Sequence, residues 1–152
     1  MTESELRAAI VAEALSWKGT PYRDSGCIKG VGCNCAQLLF GVAVNAKAIP
    51  ADSPRPRHYS GQLHVHSKEE RLEQYFLSYG AVPIAEQDAL PGDIVLYRLS
   101  AQSYGHGAIL IALSPATIVH AIAPRGCIVG GISDGFLAAA PRQFFSLWKG
   151  GH

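Results

Sequence analysis

The sequence predicts an α+β fold, with N-terminal helices packed on a C-terminal antiparallel β-sheet of about five strands. Apolar residues recur at helical spacing in the first half of the chain. From Pro91 onward they fall into short β-branched runs broken by Gly and Pro. The chain of 152 residues is 48% hydrophobic and 16% charged. That is enough for a single domain over 1–152 that buries roughly two-thirds of its unfolded surface.

Each element follows from local chemistry. Thr2 and Glu5 form a capping box ahead of Leu6, Ile10, Val11, Ala14 and Leu15, and this helix should end near Trp17, where Lys18-Gly19-Thr20-Pro21 is loop sequence. Tyr22 to Gly32 reads as an irregular loop. The apolar run from Cys35 to Val44 is expected to be a buried helix capped by Asn34; Val42 and Val44 also fit a strand, but the length favours a helix. Pro50 to Pro56 is loop, or the start of an insertion. Ser67 and Glu70 make a second capping box before a short amphipathic helix over Arg71–Leu77. The strands expected after Pro91-Gly92 are Asp93–Arg98, Gly107–Leu113, Ile118–Ile122, Cys127–Val129 and Phe144–Trp148.

Composition excludes several classes of function. Thirteen Lys and Arg against twelve Asp and Glu give a net charge of +1, which argues against a nucleic-acid binder. No apolar run reaches the roughly 18 residues of a membrane span. The acidic start, Met1-Thr2-Glu3-Ser4-Glu5, is unlike a secretory signal, so synthesis in the cytoplasm without a signal peptide is expected.

Three of the four cysteines, Cys27, Cys33 and Cys35, crowd into one short stretch. Cys35 stands apart because it opens the expected buried helix, where free backbone N–H groups and the helix dipole favour a thiolate, the attacking form. A thiolate nucleophile needs a histidine base, oriented in turn by a third polar group. Of the six histidines, His106 lies between Gly105 and Gly107 at the mouth of a strand, and His120 interrupts the apolar strand Ile118–Ile122. A buried His120 requires a hydrogen-bond partner, and another imidazole would serve. His58, His64 and His66 lie in a polar stretch expected to face solvent, and His152 ends the chain.

Gly19-Thr20-Pro21-Tyr22, Gly30-Val31-Gly32-Cys33-Asn34-Cys35, Pro91-Gly92-Asp93-Ile94-Val95, Gly105-His106-Gly107 and His120-Ala121 occur in that order. Together they resemble the NlpC-type cell-wall cysteine peptidases, in particular the short branch carried by phages and prophages, over roughly residues 5 to 125. The resemblance implies a papain-like core with Cys35 as nucleophile, His106 as general base and acid, and His120 as the orienting residue. Tyr22 matches the tyrosine whose hydroxyl lies by the nucleophile and helps bind the oxyanion. It implies hydrolysis of peptidoglycan stem peptides, typically between D-glutamate and a diamino acid, with no cofactor. Phage tail proteins are the implied partners, with a place on the virion tail or delivery to the periplasm or cell wall.

Two positions depart from the family pattern. Asn34 replaces an aspartate before the nucleophile, and Gln37 replaces a glycine two residues after it, where a side chain would crowd the cleft or change which substrate fits. A hairpin turn centred on Pro115 and Ala116 would set His106 opposite about Arg125, so contact with His120 calls for a bulge or strong coiling.

Three other readings compete. A zinc site of Cys27, Cys33 and Cys35 with His64 or His66 is disfavoured because Cys33 and Cys35 have one intervening residue. The same spacing makes a poor dithiol redox pair. A non-catalytic tail component or cell-wall-binding module that keeps the fold draws its support from Asn34 and Gln37.

Overall fold

The computed structural model describes residues 1–56, 71–100 and 103–149. Helix α1 spans Glu3–Ser16; Thr2 caps it, its hydroxyl accepting from the Glu5 N–H at 3.1 Å. Helix α2 spans Cys35–Asn45, and Asn34 caps it through Oδ1, which accepts from the Gln37 N–H at 2.8 Å. The ambiguous run at 35–44 is therefore helical: the asparagine cap settles its start, and burial on nearly every side accounts for its lack of a polar face. Helix α3 spans Arg71–Ser78, one residue beyond the expected stretch. The capping box at Ser67 and Glu70 lies outside the described residues, as do His58, His64, His66 and His152.

Among the described residues eight strands form two sheets. β1 (Cys27–Ile28) and β2 (Gly32–Cys33) make a small hairpin that falls, all but Cys33, in the stretch expected to be irregular. Among the described residues the main sheet has six strands, where about five were expected: β3 (Val82–Ile84), β4 (Ile94–Ser100), β5 (Ser103–Leu113), β6 (Ala116–Ile122), β7 (Gly126–Gly131) and β8 (Arg142–Ser146). Their order is β3-β8-β4-β5-β6-β7, and every pairing is antiparallel. The unforeseen strand is β3, three residues with a proline in the middle. Pro83 is tolerated because β3 lies at the edge and pairs only with β8.

The sheet is covered on both faces. One carries Ile94, Leu96, Ile109, Val119 and Phe145 against Leu6, Ile10, Trp17, Leu38, Leu39, Leu72 and Phe76 of the helices. The other carries Val95, Tyr97, Ala108, Leu110, Ile118 and Phe144 beneath Leu137 of a short 3₁₀ segment, Gly135–Ala139. Alternating residues of β4 to β6 thus feed two separate cores, so their strands read as continuous apolar runs.

One ion pair locks α1 to the sheet. The Asp93 carboxylate, fully buried, accepts from Arg7 at 2.7 Å and from the Leu90 N–H at 2.8 Å. Arg7 also reaches the Pro91 carbonyl and the Ser146 hydroxyl, joining α1, the turn before β4, and β8. Gly92 in that turn has φ +98°, and a Cβ there would meet the Arg7 backbone at 3.0 Å.

Candidate active site

Cys35 occupies the first position of α2, and α2 packs directly on β5. That approach is close because Gly107 has no side chain: a Cβ there would lie 2.3 Å from Leu39 Cδ1. The helix start therefore sits against the backbone of β5, and Cys35 Sγ lies 3.6 Å from the Gly105 carbonyl. Gly105 is an extra residue in the ladder, since Tyr97 pairs with His106 while Arg98 pairs with Tyr104. A bulge of this kind turns the backbone and re-aims its neighbours. Cys35 and His106 consequently line one cleft of about 180 Å³, together with Tyr22, Asn34, Leu99, Gly105, Ile122 and Phe136.

His106 and His120 are both buried, and His106 Nε2 lies 2.9 Å from His120 Nδ1. The turn between β5 and β6 falls on Ser114 and Pro115, with Leu113 opposite Ala116, which is earlier than the expected centre. A bulge at Ile111 shifts the register by one more residue. Continuing this register sets His106 opposite Ile122, so His120 is its diagonal neighbour on the same face, within reach of a ring. The contact that a simple hairpin denied is thus closed by turn position and bulge together. The two rings meet edge to face, with centroids 5.1 Å apart.

Burial, and secondarily the positive charge of Arg125, push the His120 imidazole down to about 4, against the pull of Asp134. At neutral pH His120 is therefore uncharged, a hydrogen-bond partner for His106 rather than a second cation. The ring nitrogen that His106 turns toward His120 is Nε2.

Tyr22 is held beside Cys35 by backbone bonds on both sides. It bridges Cys33 in parallel, with the Cys33 N–H donating to the Pro21 carbonyl and the Arg23 N–H to the Cys33 carbonyl, each at 3.0 Å. Upstream, the Cys127 N–H donates to the Thr20 carbonyl at 2.8 Å, which ties the segment to β7. Burial, then the neighbouring Cys35 thiol, push the Tyr22 phenol up to about 12. It stays protonated and able to donate at neutral pH.

No family model matches this sequence, and no curated protein matches it either. Solved structures do match its shape. An NLP/P60-family protein of Staphylococcus aureus, described as similar to lipoprotein, superposes on 94% of this chain with a TM-score of 0.61 and 20% identity. An NLPC/P60-family protein of Bacillus cereus covers 90% of it at a TM-score of 0.62 and 15% identity. NlpC2 of Trichomonas vaginalis covers 96% at 0.61 and 12% identity. The fold is that of the NlpC/P60 proteins. This chain spans less than half of each of those solved chains: 42%, 39% and 47% of their lengths.

Within the NlpC/P60 fold, the two departing residues take up definite positions. Asn34 does what a capping aspartate would do with Oδ1, and in addition its Nδ2 donates to the Asp24 carbonyl. An aspartate has no such donor. Gln37 does not line the cleft, contrary to the expectation that it crowds it. Its side chain is buried, with Nε2 donating to the Pro56 carbonyl at 2.7 Å and Oε1 accepting from Arg55 at 2.6 Å. Arg55 in turn donates to the Ser25 carbonyl, so Gln37 ties the 50–56 segment to the loop before β1.

The remaining cysteines are free thiols raised by burial, Cys33 and Cys127 to about 12, and are unreactive as nucleophiles at neutral pH. Among the described residues no three His, Cys, Asp or Glu side chains are grouped to hold a metal ion. His64 and His66, the other proposed zinc ligands, lie outside the described residues. No helix among the described residues is long and apolar enough to cross a membrane. Sequence reading missed Phe136, whose ring lies 6.2 Å from that of His106 and whose side chain forms a wall of the cleft. Its only sequence signal is an aromatic residue in a Gly-, Ser- and Asp-rich loop.

Proposed function

We propose that this protein is a cysteine peptidase that hydrolyses peptidoglycan stem peptides, cutting between D-glutamate and a diamino acid. The observation that carries the reading is one cleft with Cys35 at a helix start and the hydrogen-bonded pair His106–His120 behind it. His106 takes the Cys35 proton, and the thiolate attacks the scissile carbonyl carbon. The resulting oxyanion accepts from the Cys35 backbone N–H and the Tyr22 hydroxyl. His106 then gives its proton to the leaving amine, leaving a thioester on Cys35. Water, losing a proton to His106, attacks the thioester, and the thiol is regenerated as the acid departs. His120 holds the His106 ring and accepts from its Nε2–H throughout.

The choice of substrate and of a phage or prophage tail as the vehicle rests on the ordered motifs shared with the short phage branch of the NlpC-type peptidases. The likeness in fold supports a cell-wall peptidase in general. The test is digestion of purified peptidoglycan with product masses read by mass spectrometry. Wild-type protein should release fragments cut at the glutamyl–diamino acid bond, and Cys35→Ala should release none, while a chelator leaves the wild-type reaction intact. Activity retained by Cys35→Ala, or abolished by chelator, would overturn the mechanism. A folded wild-type protein that releases nothing would assign the chain to the structural tail component instead.

A further inference from the structure

Behind the cleft, and sharing Ile122 and Phe136 with it as walls, is a second cavity of about 210 Å³. Its lining includes His120, Arg125, Asp134 and Gly130, over an apolar floor of Val129 and Leu137. We propose that this cavity is a second binding site, for a small zwitterion with a carboxylate and an ammonium on one carbon.

The donor set supports the carboxylate end. His120 is 4% exposed, and its Nδ1 is engaged by His106. With His106 donating from Nε2, as the peptidase reading on which this inference rests requires, His120 accepts at Nδ1 and carries its own proton on Nε2. That Nε2 faces the cavity: a Cβ on Gly130 would stand 3.8 Å from it and 3.4 Å from Asp134 Oδ2. Among the described residues no group accepts from the His120 Nε2–H. Arg125 lines the same cavity and forms no ion pair or hydrogen bond among the described residues. An N–H donor in a fixed direction and an exposed, uncommitted guanidinium that line the same cavity suit a carboxylate.

Asp134 supports the ammonium end. It lies within the field of His120, as Arg125 does, and the two opposite charges share the cavity without pairing with each other. Its Oδ2 accepts from the Gly131 N–H at 2.7 Å, which fixes the carboxylate at the rim, and among the described residues Oδ1 has no hydrogen bond. Size sets the rest. Drug-sized ligands fill roughly 300–1,000 Å³, so a cavity of this volume admits an amino-acid head group and excludes a sugar chain. Two sources have this chemistry: a free amino acid, and a peptide side chain that ends in an amino-acid group.

The site is tested on the Cys35→Ala protein, so turnover plays no part and its failure leaves the peptidase reading untouched. Histidine imidazoles labelled with nitrogen-15 are followed by NMR during titration with glycine, acetate, methylammonium, or a dipeptide whose side chain ends in an ammonium and a carboxylate. Glycine should shift the His120 signals to saturation. Its affinity should fall about tenfold, equivalent to about 1.4 kcal/mol, in Arg125→Ala, in Asp134→Asn and in Gly130→Ala, whose added methyl enters the cavity without a clash. Acetate should bind more weakly than glycine, and methylammonium more weakly still. Tighter binding of the dipeptide assigns the site to a peptide, and binding of glycine alone assigns it to a free amino acid. If glycine leaves His120 unmoved, if acetate equals glycine, or if Arg125→Ala and Asp134→Asn leave the affinity unchanged, the proposal is wrong.

Discussion

Asn34 shows how much a single side chain settles at the nucleophile. Its Oδ1 caps α2, and its Nδ2 donates to Asp24, so both ends of the amide are used beside Cys35. Substituting aspartate keeps the cap but places a carboxylate oxygen against the Asp24 carbonyl. Asn34→Asp should therefore lower stability by about 1 kcal/mol and the melting temperature by roughly 3 °C. An unchanged melting temperature would mean that the Asp24 contact carries no weight. The cap was legible in the sequence because asparagine before an apolar run has few other uses. The second bond was not, because Asp24 approaches from a separate loop. The same holds for Gln37: its position in α2 follows from the helix, but its direction depends on Arg55 and Pro56, which arrive from beyond the end of α2.

Among elements, α1, the turn before β4, and β8 meet at one buried ion pair. Arg7→Met would leave the fully buried Asp93 carboxylate without its cation, at a cost of about 3 kcal/mol. Adding Asp93→Asn removes the stranded charge and should recover part of that loss, as urea denaturation of the single and double variants would show. Additive losses would argue that Arg7 and Asp93 act independently. The Pro91-Gly92-Asp93 motif thus has a structural reason: the glycine lets the Arg7 backbone approach, and the aspartate receives its side chain. Strand positions for β4 to β8 were readable from β-branched runs. β3 was not, because three residues around Pro83 have no period of their own and become a strand only by pairing with β8, some sixty residues away. The histidine pair sits between these cases. Its shared face follows from parity along β5 and β6, but its contact depends on a bulge at Ile111 that no residue type announces.

For the whole molecule, stability and pH are linked through His120. Its folded-state value of about 4 lies below the ordinary 6.5, so the unfolded chain binds the proton more readily. The stability associated with neutral His120 is complete above about pH 6.5 and is lost as pH falls toward 4. Melting temperatures of wild type and His120→Gln should therefore draw closer to each other, or cross, over that window. Parallel curves would show that His120 does not titrate with unfolding. Across the molecule, the sequence by itself determined the class of the fold, the three helices described, and five of the six main strands described. These follow from short-range causes: caps, hydrophobic period, and turn residues. Only the tertiary structure decided that Cys35, His106, His120 and Tyr22 share one place, that Gln37 turns away from it, and that a second cavity opens behind His120. Those depend on strand register, on the bulges at Gly105 and Ile111, and on how closely α2 can lie on β5. They are set by packing between segments far apart in the chain, where no local pattern of residues records the outcome.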